Sequence, residues 1–347
     1  MLTTISFHPA ATHHPKFWIS DGNVVLSAVS MDKEQTVLFR IHKSMLSDQS
    51  EVFASMFALS QTQDDGGIIA DLETYEGLPL VRLHDAAEDL DALLNALQDT
   101  SPLSELSTIS DTPLRVRPAL RLASKYLMND LRGRLVHIVE LMWPRTLEDL
   151  ESKTMLYDGV RKIEKGGEKW PWVFLPEPIA SINLAEEFDI PSILPAAYYH
   201  LLRCSPSADW DTVQKLGFKT LRNKVPARWP QLTHSSSHKL LKLREVLDDS
   251  VGYWTTYLHH NRAADCDNQK PKVCKELWVS IQKGGKERRR SVLTSRDPLL
   301  VLTKTHEELE ESELCYGCFD VVERNSRRIR DDIWNTLCSI SCPKSRI

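Results

Sequence analysis

Two hydrophobic periods succeed one another in the first third of the chain. Asn23 to Val29, "NVVLSAV", follows an Asp21-Gly22 turn and reads as a β-branched strand. Val37, Phe39 and Ile41 then alternate with Leu38 and Arg40, a second strand with one strongly apolar face. The polar linker between them is short, so the two predict an antiparallel hairpin. After Ile41 the period lengthens: Val52, Phe53, Met56 and Phe57 form a helical stripe, with Asp48 and Glu51 spaced as an N-terminal capping pair. Gln61 to Gly77 reads as a loop. "LPLVRLHD" predicts a third strand, and Asp85 is the expected cap of a helix carrying Leu90, Leu93, Leu94 and Leu97 on one face. Ser101 to Thr112 reads as a linker, and Thr112-Pro113 has the cap-then-proline order of a helix start.

From Leu114 to Cys204 the pattern is helical apart from the linker Glu164 to Pro178. An internal repeat lies within it: "LASKYLMNDL" (Leu122 to Leu131) aligns without gaps on "LAEEFDIPSI" (Leu184 to Ile193). Leu122 matches Leu184, Ala123 matches Ala185, Tyr126 matches Phe188, Met128 matches Ile190 and Leu131 matches Ile193. Each copy reads as a helix end, a short turn and a helix packing back, an αα-hairpin. Trp143-Pro144 stops the second helix of the first copy. Two copies are too few for a solenoid, so stacked hairpins closing an α+β domain are expected. Ser205 to Ser237, rich in Pro, Trp and Ser, reads as a connector, and His238 to Leu258 as a helix.

Composition narrows the function classes. At 347 residues about two domains are expected, and 41% hydrophobic with 26% charged residues is ordinary for a globular chain. A net charge of -5 gives no reason to expect nucleic acid or an anionic membrane as main partner. No apolar run approaches the ~20 residues a bilayer needs. The N-terminus lacks the basic and apolar regions of a secretory signal, so an intracellular protein, cytoplasmic or nuclear, is expected. Its seven cysteines should then be reduced or metal-bound. Motifs for catalysis are missing: no G-x-S-x-G, no phosphate-binding G-x-x-x-x-G-K, no G-x-G-x-x-G and no H-E-x-x-H. Acid pairs such as Asp248-Asp249 and Glu310-Glu311 fit solvated faces better than general acid–base work. The basic runs Lys283–Arg290 and Arg324–Arg330 are interleaved with acidic residues, which favours internally paired surface over phosphate contact.

Six of the seven cysteines crowd the C-terminal region. "CYGC", Cys315 to Cys318, suits two thiolates approaching one tetrahedral ion, and Cys266 with Cys274 supplies a second pair. Cys338 with Cys342, and His259 or His260, are alternative ligands. Structural zinc would substitute for a weak core there; small buried thiols are the plainer explanation. A redox C-x-x-C would need a βαβ context that is not present.

The order strand, strand, His-Lys, helix, strand, helix and helical close resembles the BTB/POZ domain. "DGNVVLSAV", "FRIHKSMLSDQSEVFASMF", "LVRLHD" and "LRLASKYLMNDL" carry the resemblance, with Ile41, His42, Lys43, Leu46, Ser50, Phe53, Met56 and Phe57 in one gapless pattern. "HHPKFWISDGNVVL", "RTLEDL", "INLAEEFDIPSILPAAYYHL" and the late cysteine pairs resemble a group of fungal BTB proteins with a helical extension. The resemblance implies a non-enzymatic protein-interaction module that self-associates, joins transcriptional assemblies, or adapts substrates to a cullin-type ubiquitin ligase. It places Asp21, His42 and Lys43 at the interaction surface, with His42 also read as scaffold at the strand-to-helix corner. The expected layout is an N-terminal segment (1–16), a BTB-like α+β domain (17–144) whose first strand starts near Asn23, a helical extension (145–205), and a mainly helical, Cys-rich region (206–347).

Overall fold

The structure, a computed structural model, describes residues 11–32, 35–59, 73–98, 110–163, 175–216, 225–260, 297–310 and 314–342, with Cys266, Cys274, Glu276 and Val279 besides. Among them are a curled five-stranded sheet and twelve α-helices, a mixed and mostly helical architecture compatible with the α+β expectation. The chain divides into two compact units, Met1–Ser107 with Thr112–Val139, and Thr108–Asp111 with Glu140–Ile347. None of the described helices is long and apolar enough to cross a membrane.

The first unit holds the sheet. Its strands are β1 (Thr12–Trp18), β2 (Val24–Val29), β3 (Thr36–Ile41), β4 (Thr74–Tyr75) and β5 (Leu78–Ala86), in the order β1-β3-β2-β5-β4. β2 and β3 form the expected antiparallel hairpin, with Val24 opposite Ile41 and Leu26 opposite Phe39. β5 lies parallel to β2 on its other side. The central β2 is buried from Val24 to Ala28, so both its faces are covered and only Ser27 interrupts its apolar run. One face gathers Val25, Leu38 and Leu80 with Ala11, Trp18, Tyr75 and Leu78. By the two-residue alternation of strands, Val24, Leu26, Phe39 and Ile41 lie on the other. β1 crosses the boundary drawn after residue 16 and precedes the strand start expected near Asn23. Its pattern, with Pro15 inside and mostly exposed residues, gives no strand signal; parallel pairing to β3 and the stacking of His13 on Trp18 hold it in place. β4 falls inside the stretch read as a loop, paired to β5 through the turn at Glu76 and Gly77.

Helices α1 (Ser44–Ser47), α2 (Glu51–Leu59), α3 (Ala87–Gln98), α4 (Thr112–Lys125) and α5 (Asn129–Met142) follow. The helix stripe after the corner is real, but its cap is not Asp48 with Glu51. Asp48 ends α1, while Ser50 accepts from the Phe53 N–H and its hydroxyl donates to the Tyr126 carbonyl. Asp85 likewise does not close a helix. It sits in β5, its carboxylate receiving the Lys125 ammonium and the Tyr126 hydroxyl of the αα-hairpin. A carboxylate flanked by a cation and a phenol from another element is better satisfied there than by helix N–H groups alone.

The second unit contains α6 (Leu147–Ile163), α7 (Pro178–Phe188), α8 (Leu194–Arg203), α9 (Trp210–Leu216), α10 (His234–His260), α11 (Pro298–Glu310) and α12 (Tyr316–Ser341). The internal repeat survives in backbone detail. Leu127 and Asp189, matched by the alignment, both adopt left-handed conformations, φ 52 and 54. Met128 then bonds back to Ala123, as Ile190 bonds back to Ala185. This is the αL-terminated helix end that releases the chain into the returning helix. α12 buries Cys318, Val322, Ser326, Ile329, Ile333 and Leu337, a helix-spaced stripe packed on α6, α8, α10 and α11. The supposed connector after Cys204 is partly structured: Trp210 and Val213 of α9 pack with Ala208 and Val225, and Asp209 bridges to Ala227.

Candidate functional site

Residues Asp21 to Asn23 and His42-Lys43 meet at the ends of β2 and β3. Gly22 lies so close to β3 that an added Cβ would meet Arg40 Cγ and the Ile41 backbone N and O, each at 3.0 Å. Its carbonyl accepts from Arg40 Nε, again at 3.0 Å. Asn23 Oδ1 accepts from the Lys43 N–H at 2.8 Å. The side chain that fixes the corner backbone is therefore Asn23, where the sequence pointed to His42. His42 Nε2 instead stands 3.3 Å from Asp21 Oδ1, on two side chains 37% and 78% exposed. Such an exposed pair contributes little stability, and what it offers is an outward-facing polar group on a fixed backbone. Asp21 and His42 are thus brought together; Lys43 is half-buried and begins α1.

Four cysteines converge in the second unit. Cys315 is the extended residue before α12, and Cys318 lies in its first turn. The two-residue spacing therefore folds both thiols over one helix N-terminus. Cys266 and Cys274 come from the preceding segment, and all four Sγ atoms lie within 4.8 Å of one another. Cys266 Sγ and Cys315 Sγ are 3.7 Å apart. A tetrahedron of sulfurs around an ion, with metal–sulfur bonds of about 2.3 Å, has edges of about 3.8 Å. The Cys315 N–H donates to Cys274 Sγ at 3.3 Å. That N–H and the positive end of α12 both favour thiolate at this spot. Cys274 and Cys318 are fully buried, Cys266 and Cys315 half-buried. Burial, and then the neighbouring Cys315 and Cys266 sulfurs, push the Cys318 thiol up to about 12. Without a cation Cys318 therefore keeps its proton, and a divalent ion would reverse that preference by replacing it.

The alternative ligands lie elsewhere. Cys342, of the alternative pair Cys338 and Cys342, donates to the Pro191 carbonyl at 3.1 Å. The side chains of His259 and His260 fall outside the described residues, as does the basic run 283–290. The second basic run lies on α12, where each arginine has a carboxylate: Arg324 with Asp320, Arg327 with Glu323, Arg328 with Asp332 and Arg330 with Glu151. Asp248 and Asp249 are exposed.

Two buried polar networks had no signal in the sequence. Arg228 stacks over Trp210, bonds Asp211 and Asp111 through Nε and Nη2 at 3.0 Å each, and donates its backbone N–H to Glu177. Glu177 caps α7 through the Ala180 N–H, and burial pushes its carboxyl above the usual range against the pull of these donors. Around Asp297, Tyr199 donates to Oδ1 at 2.6 Å and Arg203 to Oδ2 at 2.8 Å, while the Leu300 N–H closes α11 on the same carboxylate. His200 lies beside Arg203 at 2.9 Å and is held well below its ordinary pKa, by burial first and the guanidinium second. Both networks join helices that are far apart in sequence, and the first leaves the buried Arg228 Nη1 without a hydrogen bond, 3.9 Å from Glu177 Oε2. Compared with family models, with curated proteins and with solved structures, this chain matches none.

Proposed function

We propose that the chain is a non-enzymatic protein-interaction module of the BTB/POZ type whose second unit is fastened by a structural zinc ion. The corner carries the interaction reading: Gly22 packs on Arg40 and Ile41 while Asn23 holds Lys43 and Asp21 meets His42, so one short motif fixes its backbone and leaves Asp21 and His42 facing outward. The order of strands, corner, helical pair, strand and αα-hairpin supports the same reading. Self-association is the expected use of the surface, with cullin adaptation as the alternative outcome. Light scattering of the full chain across micromolar concentrations tests it. A dimer or larger species is expected. A monomer throughout that co-purifies with a cullin would favour the adaptor, and a monomer that captures no cullin would sink both. Pairing of each arginine in Arg324–Arg330 with a carboxylate on α6 or α12 weighs against phosphate contact by that run; the other basic run, 283–290, lies outside the described residues.

The zinc reading rests on four sulfurs gathered at tetrahedral spacing over a helix N-terminus. Cys266, Cys274, Cys315 and Cys318 would hold the ion as thiolates, a closed set suited to structure rather than to activating water. Elemental analysis of freshly purified protein should find about one zinc per chain. Well under one equivalent would refute the site.

A further inference from the structure

The four sulfurs are not equivalent. Cys274 and Cys318 are fully buried, whereas Cys266 and Cys315 are half-buried and stand 3.7 Å apart. The pair within reach of solvent is therefore also a pair in sulfur–sulfur contact. Cys274 has further protection, because its sulfur accepts the Cys315 N–H. On this asymmetry, and resting on the zinc reading above, we infer that the site is a peroxide-responsive clasp: oxidation joins Cys266 to Cys315 and releases the ion.

The chemistry closes on groups in the site plus one oxidant, hydrogen peroxide. A thiolate of Cys266 or Cys315 attacks one peroxide oxygen; the S–O bond forms, the O–O bond breaks, and hydroxide leaves and takes a proton to become water. The neighbouring thiolate then attacks the sulfenyl sulfur; the S–S bond forms, the S–O bond breaks, and a second hydroxide leaves as water. Two thiolates, one peroxide and two protons thus become one disulfide and two waters. The sulfurs must close from 3.7 Å to about 2 Å. Only Cys274 and Cys318 then remain as ligands, and two buried thiolates do not make a closed tetrahedral site. Because Cys318 belongs to the first turn of α12 and Cys274 to the preceding segment, losing the ion unfastens that helix start from the segment. Reduction by a dithiol restores the four thiolates and, with zinc supplied, the clasp.

The test uses the full zinc-loaded chain. Zinc is quantified before oxidant, then released metal is followed with a chromogenic chelator while hydrogen peroxide is added from one-half to ten equivalents. Peptide mapping without reduction locates the bond. The expected result is release of about one zinc per chain near one equivalent of peroxide, a Cys266–Cys315 linkage, and recovery of metal binding after dithiothreitol and zinc. Retention of zinc at ten equivalents overturns the inference, as does release with a Cys274–Cys318 linkage or with no linkage at all. Because wild-type protein carries the linkage measurement, no folding-sensitive variant is needed; Cys266→Ser, if it retains zinc, should raise the peroxide needed for release several-fold. A preparation holding no zinc before oxidant overturns the metal reading itself, and this one with it.

Discussion

Leu127 carries a cost that its repeat partner avoids. Both Leu127 and Asp189 occupy the left-handed region, but Asp tolerates it while Leu crowds its Cβ against the backbone, by about 1 kcal/mol. Leu127 is also 58% exposed, so little burial offsets the strain. Leu127→Asn should therefore stabilise the first unit by about 0.5–1 kcal/mol in chemical denaturation; a loss of stability would show that its side chain packs usefully. Gly22→Ala should act in the other direction. The added methyl meets β3 backbone at 3.0 Å, and displacing a strand costs about 1–3 kcal/mol. His200 supplies a pH dependence. Its folded pKa lies well below 6.5 while the unfolded chain titrates near that value, so between the two the unfolded state holds more protons. The second unit should lose stability as pH falls through about 6.5, measured as the denaturant midpoint at pH 7.5 and 5.5. In His200→Gln that drop should shrink, since glutamine keeps an acceptor for Arg203 without gaining a charge.

At the scale of elements, the helix after the corner hangs on one hydroxyl. Ser50 is buried, caps α2 at the Phe53 N–H and reaches the Tyr126 carbonyl in the αα-hairpin. Phe53 packs its ring on Tyr126 at 4.3 Å along the same line. Ser50→Ala removes a cap and leaves a buried carbonyl short of a donor, and should cost about 2 kcal/mol, above a cap alone. A change under 0.5 kcal/mol would mean that water replaces the hydroxyl. The stripe Val52, Phe53, Met56, Phe57 was legible because a helix must place its apolar residues every three or four positions. Its cap was not, because Asp48, Ser50 and Glu51 are all plausible caps until the Tyr126 carbonyl picks one out. Asp85 was misjudged for the same reason, its partners lying forty residues on. The αα-hairpin turns were readable since each is a local conformation set by local sequence.

Over the whole molecule, the cysteines divide the two units. The first has none, so its stability should be indifferent to chelators, whereas the second should respond. Stripping the full chain with EDTA and phenanthroline is expected to lower a thermal transition belonging to the second unit by several degrees and leave the other in place. Binding energies of structural zinc, about 10 kcal/mol or more in small peptides, make a silent result incompatible with a loaded site. Cys318→Ser should reproduce the effect without chelator, as it removes a fully buried ligand from the first turn of α12.

Periodicity and motif chemistry sufficed for the hairpin of β2 and β3, the helical stripes, the repeated turn and the four cysteines that could share an ion. Each of these follows from residue types at fixed short spacings, where backbone geometry leaves few choices. The tertiary structure alone decided the rest: β1 alongside β3, Asp85 facing Lys125 and Tyr126, Asn23 rather than His42 holding the corner, and Arg228 drawing in Asp111, Glu177 and Asp211. It also selected Cys266 and Cys274 over Cys338 and Cys342. Those pairings depend on which distant segments are buried together, and a buried polar group takes whichever partner the packing delivers.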